Sequence, residues 1–249
     1  MGFSLEDADR IRQYTHNIVG GTAESGSSGA TGRTAAYGIA LAMEEALRFR
    51  QGSGLVEGVR IAVQGLGLLG RPLADHLIRW GARLIVADIV PEAVDAFVRE
   101  LPEILRPRVQ AVPPEEILSA PCDILAPCAI GGVLSSETIP RLQCQMILGG
   151  ANNPLKARSA SEEIRLARQI AERDILFVPD WVVNAGGVLH GKLEHEYGPA
   201  FDPEDALELA ARVCLNNTRL VLERSHLERI TPLEAAYRLF EERIYGDPL

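Results

Sequence analysis

V-R-I-A-V-Q-G-L-G-L-L-G, residues 59–70, is the stretch on which the fold turns. Its first half is an apolar run of strand length, and its second half is G-x-G-x-x-G opening a helical pattern. Each glycine has its own physical reason. Gly65 permits a tight turn out of the strand, Gly67 lets the backbone approach a ligand, and Gly70 lets the helix pack close to the strand. The loop from Gly65 through Leu68 and Leu69 to Gly70 then brings free N–H groups and the positive end of a helix dipole to one point, where a pyrophosphate is favoured. Asp88 ends the next apolar run, about 20 residues on, as a dinucleotide fingerprint requires. A carboxylate there accepts the ribose hydroxyls and repels a 2′-phosphate, so the expected cofactor is NAD rather than NADP.

Working outward from this unit, strands and helices alternate. The pattern predicts strands over 59–64, 83–88, 109–112, 123–126, 145–149 and 175–178. Helices are expected over 68–80, 91–101, 136–142 and 161–173. Such alternation implies crossover connections and a parallel sheet. Upstream, residues 5–14 and 34–48 read as helices around a loop rich in Gly and Ser. Downstream, residues 182–197, 203–223 and 232–245 read as helices, the last with Thr231 as N-cap and Pro232 in its first turn. The expected fold class is α/β, a Rossmann-type doubly wound parallel sheet with helical N- and C-terminal extensions. We read residues 1–249 as a single dinucleotide-binding domain: N-terminal helices over 1–50, a sheet core over 51–180 and C-terminal helices over 181–249.

Composition removes several function classes. The chain has 249 residues, 47% of them hydrophobic, and a formal net charge of −9. Nothing in that balance would neutralise a row of nucleic-acid phosphates. The longest apolar runs are of strand length, too short to span a bilayer, and the N-terminus has no apolar leader pattern. Cys122, Cys128, Cys144 and Cys214 form no C-x-x-C pair, so they read as buried free thiols of a cytoplasmic protein. His190 and His195 are not spaced i, i+4, and no metal is expected.

Three further segments carry a resemblance: C-D-I-L-A-P-C-A-I-G-G-V-L (122–134), I-L-G-G-A-N-N-P-L (147–155) and V-P-D-W-V-V-N-A-G-G-V (178–188). In this order after the glycine loop, and with G-S-S-G…A-Y-G (26–38) before it, the chain resembles the cofactor domain of the glutamate/leucine/phenylalanine/valine dehydrogenases, most nearly the leucine/phenylalanine branch. The resemblance runs from about Asp7 onward. It implies that Gly65, Gly67, Gly70 and Asp88 hold the adenosine and pyrophosphate. It implies that Ala126, Pro127, Cys128 and Ala129 pass beside the cofactor, that Asn152 lies near the nicotinamide ribose, and that Asn184 faces the substrate carboxylate or the nicotinamide. That branch carries threonine where Ala35 stands here, with Thr34 just before it.

The same resemblance implies oxidation of an L-amino acid by a low-pKa lysine, with a second lysine on the substrate carboxylate. Both lie in a preceding domain within a G-G-G-K stretch. That stretch does not occur in these residues, whose only lysines are Lys156 and Lys192. Lys156 reads as a surface residue. Lys192 and His190 follow N-A-G-G on the expected helix and are candidate acid/base groups beside Asn184. Two functions stay open. One is an NAD-dependent oxidoreductase moving hydride between NAD(H) and an amino acid, 2-oxo acid or imine, either unaided or with a partner chain supplying a lysine-bearing domain. The other is a non-catalytic NAD-binding sensor or regulatory subunit. Terminal helices without a facing domain leave apolar surface, so a homo-oligomer or such a partner chain is expected.

Overall fold

The computed structural model describes residues 4–15, 17–29 and 31–246. At its centre β1 (Arg60–Gln64) pairs with β2 (Arg83–Ala87) on one side and β4 (Ile124–Pro127) on the other. β3 (Val109–Ala111) continues beyond β2, and β5 (Met146–Ile147) and β6 (Leu176–Phe177) continue beyond β4. All six strands are parallel, in the order β3-β2-β1-β4-β5-β6. The order reverses between β1 and β4, the point at which such sheets leave a ligand crevice beyond the strands' C-terminal ends.

Both faces are covered because β1 is apolar on both. Ile61 and Val63 pack on one side with Ile39, Met43 and Leu47 of α2 (Gly32–Gln51), Leu73 and Leu77 of α3 (Gly70–Arg79), and Phe97 of α4 (Pro91–Glu100). Ala62 packs on the other with Ile117 and with Leu166 and Ile170 of α5 (Ala160–Ala171). This is the doubly wound arrangement read from the sequence. Among the described residues no helix is long and apolar enough to cross a membrane.

The last third departs from expectation at its start. In place of one helix over 182–197 there are two, α6 (Asp180–Val183) and α7 (Gly186–Tyr197), with the chain turning at Asn184. Close packing explains the break. A Cβ on Gly186 would lie 2.5 Å from the Thr34 carbonyl oxygen, so α7 is set against the start of α2 rather than continuing α6. α8 (Pro203–Glu228) runs past the expected end and lies along α2. α9 (Pro232–Tyr245) has the expected N-cap: the Thr231 hydroxyl accepts from Glu234 N–H, and the Glu234 carboxylate accepts from Thr231 N–H. The expected helix over 136–142 is only a short 3-10 turn, Ile139–Arg141, where Pro140 removes a donor.

Candidate dinucleotide site

The glycine loop is built by backbone contact. Gly65 has φ +92°, the left-handed region that favours glycine, and a Cβ there would lie 2.9 Å from the Ala129 Cβ. A Cβ on Gly70 would lie 1.9 Å from the Gly65 carbonyl oxygen, so only glycine lets α3 begin this close to the end of β1. Gly67 differs. It is exposed, and a Cβ there would meet nothing within 4 Å. Its smallness serves the open side of the loop.

Among the described residues, the N–H groups of Gly67, Leu68, Leu69 and Gly70 have no hydrogen-bond acceptor. Leu66 N–H instead donates to Asp88 Oδ2 at 2.7 Å, and Val90 N–H donates to Asp88 Oδ1 at 2.9 Å. Asp88 thus ties the loop to the end of β2 while keeping lone pairs for a ligand. The side-chain oxygen of Gln64 is buried at the end of β1 without a partner, the state of a group completed by a ligand or water. Free donors at a helix start, a carboxylate beside them and a vacant acceptor together fit a dinucleotide.

Across the crevice, Cys128 N–H donates to the Gln64 carbonyl at 2.8 Å, so Cys128 and Ala129 carry the chain on from Ala126 and Pro127, the end of β4, alongside the loop. Burial pushes the Cys128 thiol up to about 12, which keeps it protonated. Asn152 and Asn184 are brought together, the Asn184 Nδ2 donating to Asn152 Oδ1 at 3.1 Å. Behind them Asp180, which sequence reasoning passed over although it stands in P-D-W, accepts from Asn153 N–H at 3.1 Å. Asn153 has φ +52°, so this bond holds an unusual turn. Burial raises the Asp180 carboxyl, against the N–H donors around it.

Lys192 and His190 lie elsewhere. The Lys192 ammonium is well exposed and pairs with Glu196 at 3.3 Å on the outer face of α7. His190 is 3% exposed. Its Nε2 is 2.6 Å from the Ser28 hydroxyl and its Nδ1 is 2.7 Å from the Thr34 hydroxyl. Thr34 is therefore turned to the imidazole. Glu194, one turn further on α7, completes the cluster. Its carboxylate accepts from the Ser27 hydroxyl at 2.5 Å, the Ser28 hydroxyl at 2.6 Å and the Gly20 N–H at 3.3 Å, and pairs with Arg12 at 3.4 Å. Ser28 has one hydrogen and gives it to Glu194. His190 must then donate from Nε2, and the neutral imidazole that burial favours accepts the Thr34 hydroxyl at Nδ1.

Burial lowers the His190 pKa below its ordinary 6.5, with Glu194 opposing. Burial also pushes the Glu194 carboxyl up, but the two serine hydroxyls, the Gly20 N–H and Arg12 outweigh it and hold the carboxyl below its ordinary 4.5. Both shifts have the same sign in stability. The His190 contribution is present above about pH 6.5 and is lost as pH falls, and the Glu194 contribution is lost lower still, below about pH 4.5. The melting temperature is accordingly expected to fall between about pH 7 and pH 5.5, and His190→Asn should flatten that slope. An unchanged slope in the variant would remove His190 as its source.

Comparison with known proteins gives the family and the fold. The glutamate/leucine/phenylalanine/valine dehydrogenase profile matches residues 86–244, more than half of the chain. Leucine dehydrogenase of Bacillus subtilis (strain 168) is 38% identical over 244 residues, which are 98% of this chain and 63% of that protein. Phenylalanine dehydrogenase of Lysinibacillus sphaericus is 31% identical over 246 residues, 99% of this chain and 62% of that one. The chain thus spans less than two thirds of the length of these relatives. Among solved structures, L-tryptophan dehydrogenase from Nostoc punctiforme superposes with a TM-score of 0.79 at 32% identity, covering 96% of this chain and 64% of that one. The hetero-hexameric glutamate dehydrogenase from Thermus thermophilus gives 0.70 at 26%, covering 91% and 55%. These are all amino-acid dehydrogenases by name, and the chain belongs to the glutamate/leucine/phenylalanine/valine dehydrogenase family.

Proposed function

We propose that these residues are the NAD-binding half of an L-amino-acid dehydrogenase of the leucine/phenylalanine type. Such an enzyme moves hydride between NAD(H) and an amino acid, 2-oxo acid or imine, with its acid/base lysines supplied by polypeptide outside the 249 residues. The observation that carries the reading is the loop itself: four N–H groups without acceptors beside the Asp88 carboxylate. In this reading Gly65 shapes the turn, the N–H groups of Gly67, Leu68, Leu69 and Gly70 take the pyrophosphate and Asp88 takes the adenosine ribose. Ala126, Pro127, Cys128 and Ala129 border the cofactor, and the Asn152–Asn184 pair meets the nicotinamide ribose and the substrate. The bound dinucleotide supplies the hydride acceptor or donor. This chain supplies orientation and exclusion of water.

Of the three candidates for the chemistry, the reading keeps Asn184 and gives His190 and Lys192 no contact with substrate. The Glu196 pairing of Lys192 and the doubly bonded imidazole of His190 support that choice. Exposed apolar side chains near the crevice, Leu68 at 61% and Val188 at 78%, are surface that a lysine-bearing domain or a second copy would cover.

Calorimetric titration tests the reading. NAD should bind at least about tenfold more tightly than NADP. NADH formation from L-leucine or L-phenylalanine should appear only when a lysine-bearing domain is added. Failure to bind either nucleotide would overturn the cofactor assignment. Tight NAD binding with no rescue by any lysine-bearing domain would favour the sensor or regulatory subunit instead.

A further inference from the structure

A second concavity lies at the other end of the sheet, where strands begin rather than end. It encloses about 970 Å³ and is lined by Arg60, Arg83 and Arg108. The three are aligned. Arg60 stands opposite Arg83 in the β1–β2 register. Leu84 stands opposite Val109 in the β2–β3 register, which sets Arg108, one residue earlier, beside Arg83. Neighbouring strands are about 4.8 Å apart, so three guanidiniums begin from a row about 10 Å long.

Like charges directly opposite one another on a sheet are unfavourable, and this chain has carboxylates to spare, 34 acidic against 25 basic residues. Elsewhere its arginines use them. Arg48, Arg71, Arg168, Arg219 and Arg224 each sit on a glutamate. Among the described residues none of the three aligned arginines has an ion-pair partner within 4.0 Å. Glu57 and Glu116 line the same concavity without reaching them. Asp123, just before β4 and next to Arg60, is turned to other donors: its Oδ2 accepts the Arg60 backbone N–H at 2.8 Å and its Oδ1 the Gln145 amide at 3.3 Å.

The geometry points to a site for a linear polyphosphate group here, separate from the dinucleotide crevice. A single carboxylate or phosphate is shorter than the row, whereas two or three linked phosphates present oxygens along it. Each guanidinium fork can take two of those oxygens. Gln110 and Ser119, on the same wall, add neutral hydrogen-bonding groups. Glu57 and Glu116 in the same lining oppose any anion, and the arginine row must outweigh them. The phosphates of a nucleotide and an inorganic polyphosphate share this chemistry.

The test is calorimetry with inorganic triphosphate, on the protein saturated with NAD so that the crevice does not compete. One-to-one saturable binding is expected, weakened about tenfold by Arg83→Gln, which removes the middle guanidinium. Glu116→Gln should strengthen it. NAD affinity should stay unchanged in both variants. ATP binding more tightly than triphosphate, or equally, supports the site in either case and tells whether a nucleoside contributes. No saturable triphosphate binding would overturn the proposal, as would binding that neither variant alters. Because the probe is added over bound NAD, failure here leaves the dinucleotide reading untouched.

Discussion

Gly70→Ala should cost the protein about 3 kcal/mol of stability and most of its dinucleotide affinity. The Cβ would meet the Gly65 carbonyl oxygen at 1.9 Å, and that oxygen belongs to backbone in the left-handed region, which has little room to shift. On its other side the new methyl would press on the Cys128 Cβ at 3.0 Å. Overpacking between backbone segments typically costs about 1–3 kcal/mol, and this contact belongs at the upper end. For a chain of this size the melting temperature should fall on the order of 10 °C. Relief of the clash would move α3 off the end of β1 and tilt its free N–H groups away from the crevice, so NAD should bind more than about tenfold more weakly. Gly67→Ala separates the two effects. Its methyl meets no protein atom, so the melting temperature should hold while affinity falls. Wild-type melting and wild-type affinity in Gly70→Ala would refute the close-packing account.

Glu194→Ala should be comparably damaging, by a different route. Its carboxylate is the common acceptor for two serine hydroxyls, one backbone N–H and one guanidinium, all drawn from residues 12–28. Removing it leaves Ser27 and Ser28 facing a void and Arg12 without its counter-ion, a loss of about 3–5 kcal/mol. Glu194→Gln keeps one acceptor oxygen and should cost about 1–2 kcal/mol. Amide hydrogen exchange gives the local readout. Residues 20–29 should lose protection in the alanine variant before the sheet does. Equal melting temperatures for the alanine and glutamine variants would contradict this role.

What the sequence made legible was local. The strand–turn–helix around Gly65 needs only nearest neighbours in the chain, and Asp88 lies at a fixed offset from it, so both could be read directly. The alternation of strands and helices likewise rests on short-range pattern. Glu194 was illegible because its partners are a loop from the opposite end of the chain, and a charged residue on a helix normally reads as solvated surface. The break at Asn184 was missed for a related reason. The pattern over 182–197 is compatible with one helix, and only the approach of Gly186 to Thr34 divides it. The three aligned arginines are visible as single letters at or just before the start of each strand, but their alignment exists only once register is known.

The position of β1 bears on when the protein becomes competent during synthesis. β1 carries the glycine loop, yet it is flanked on one side by β4, whose Ile124 pairs directly with Ile61 but follows the whole β2–β3 segment in sequence. Ala129, against which Gly65 is fitted, comes later still. A growing chain therefore holds the complete fingerprint long before it holds a crevice. Because such distant pairings are slow to close, nucleotide capture should lag emergence of the motif from the ribosome and report closure of the central sheet.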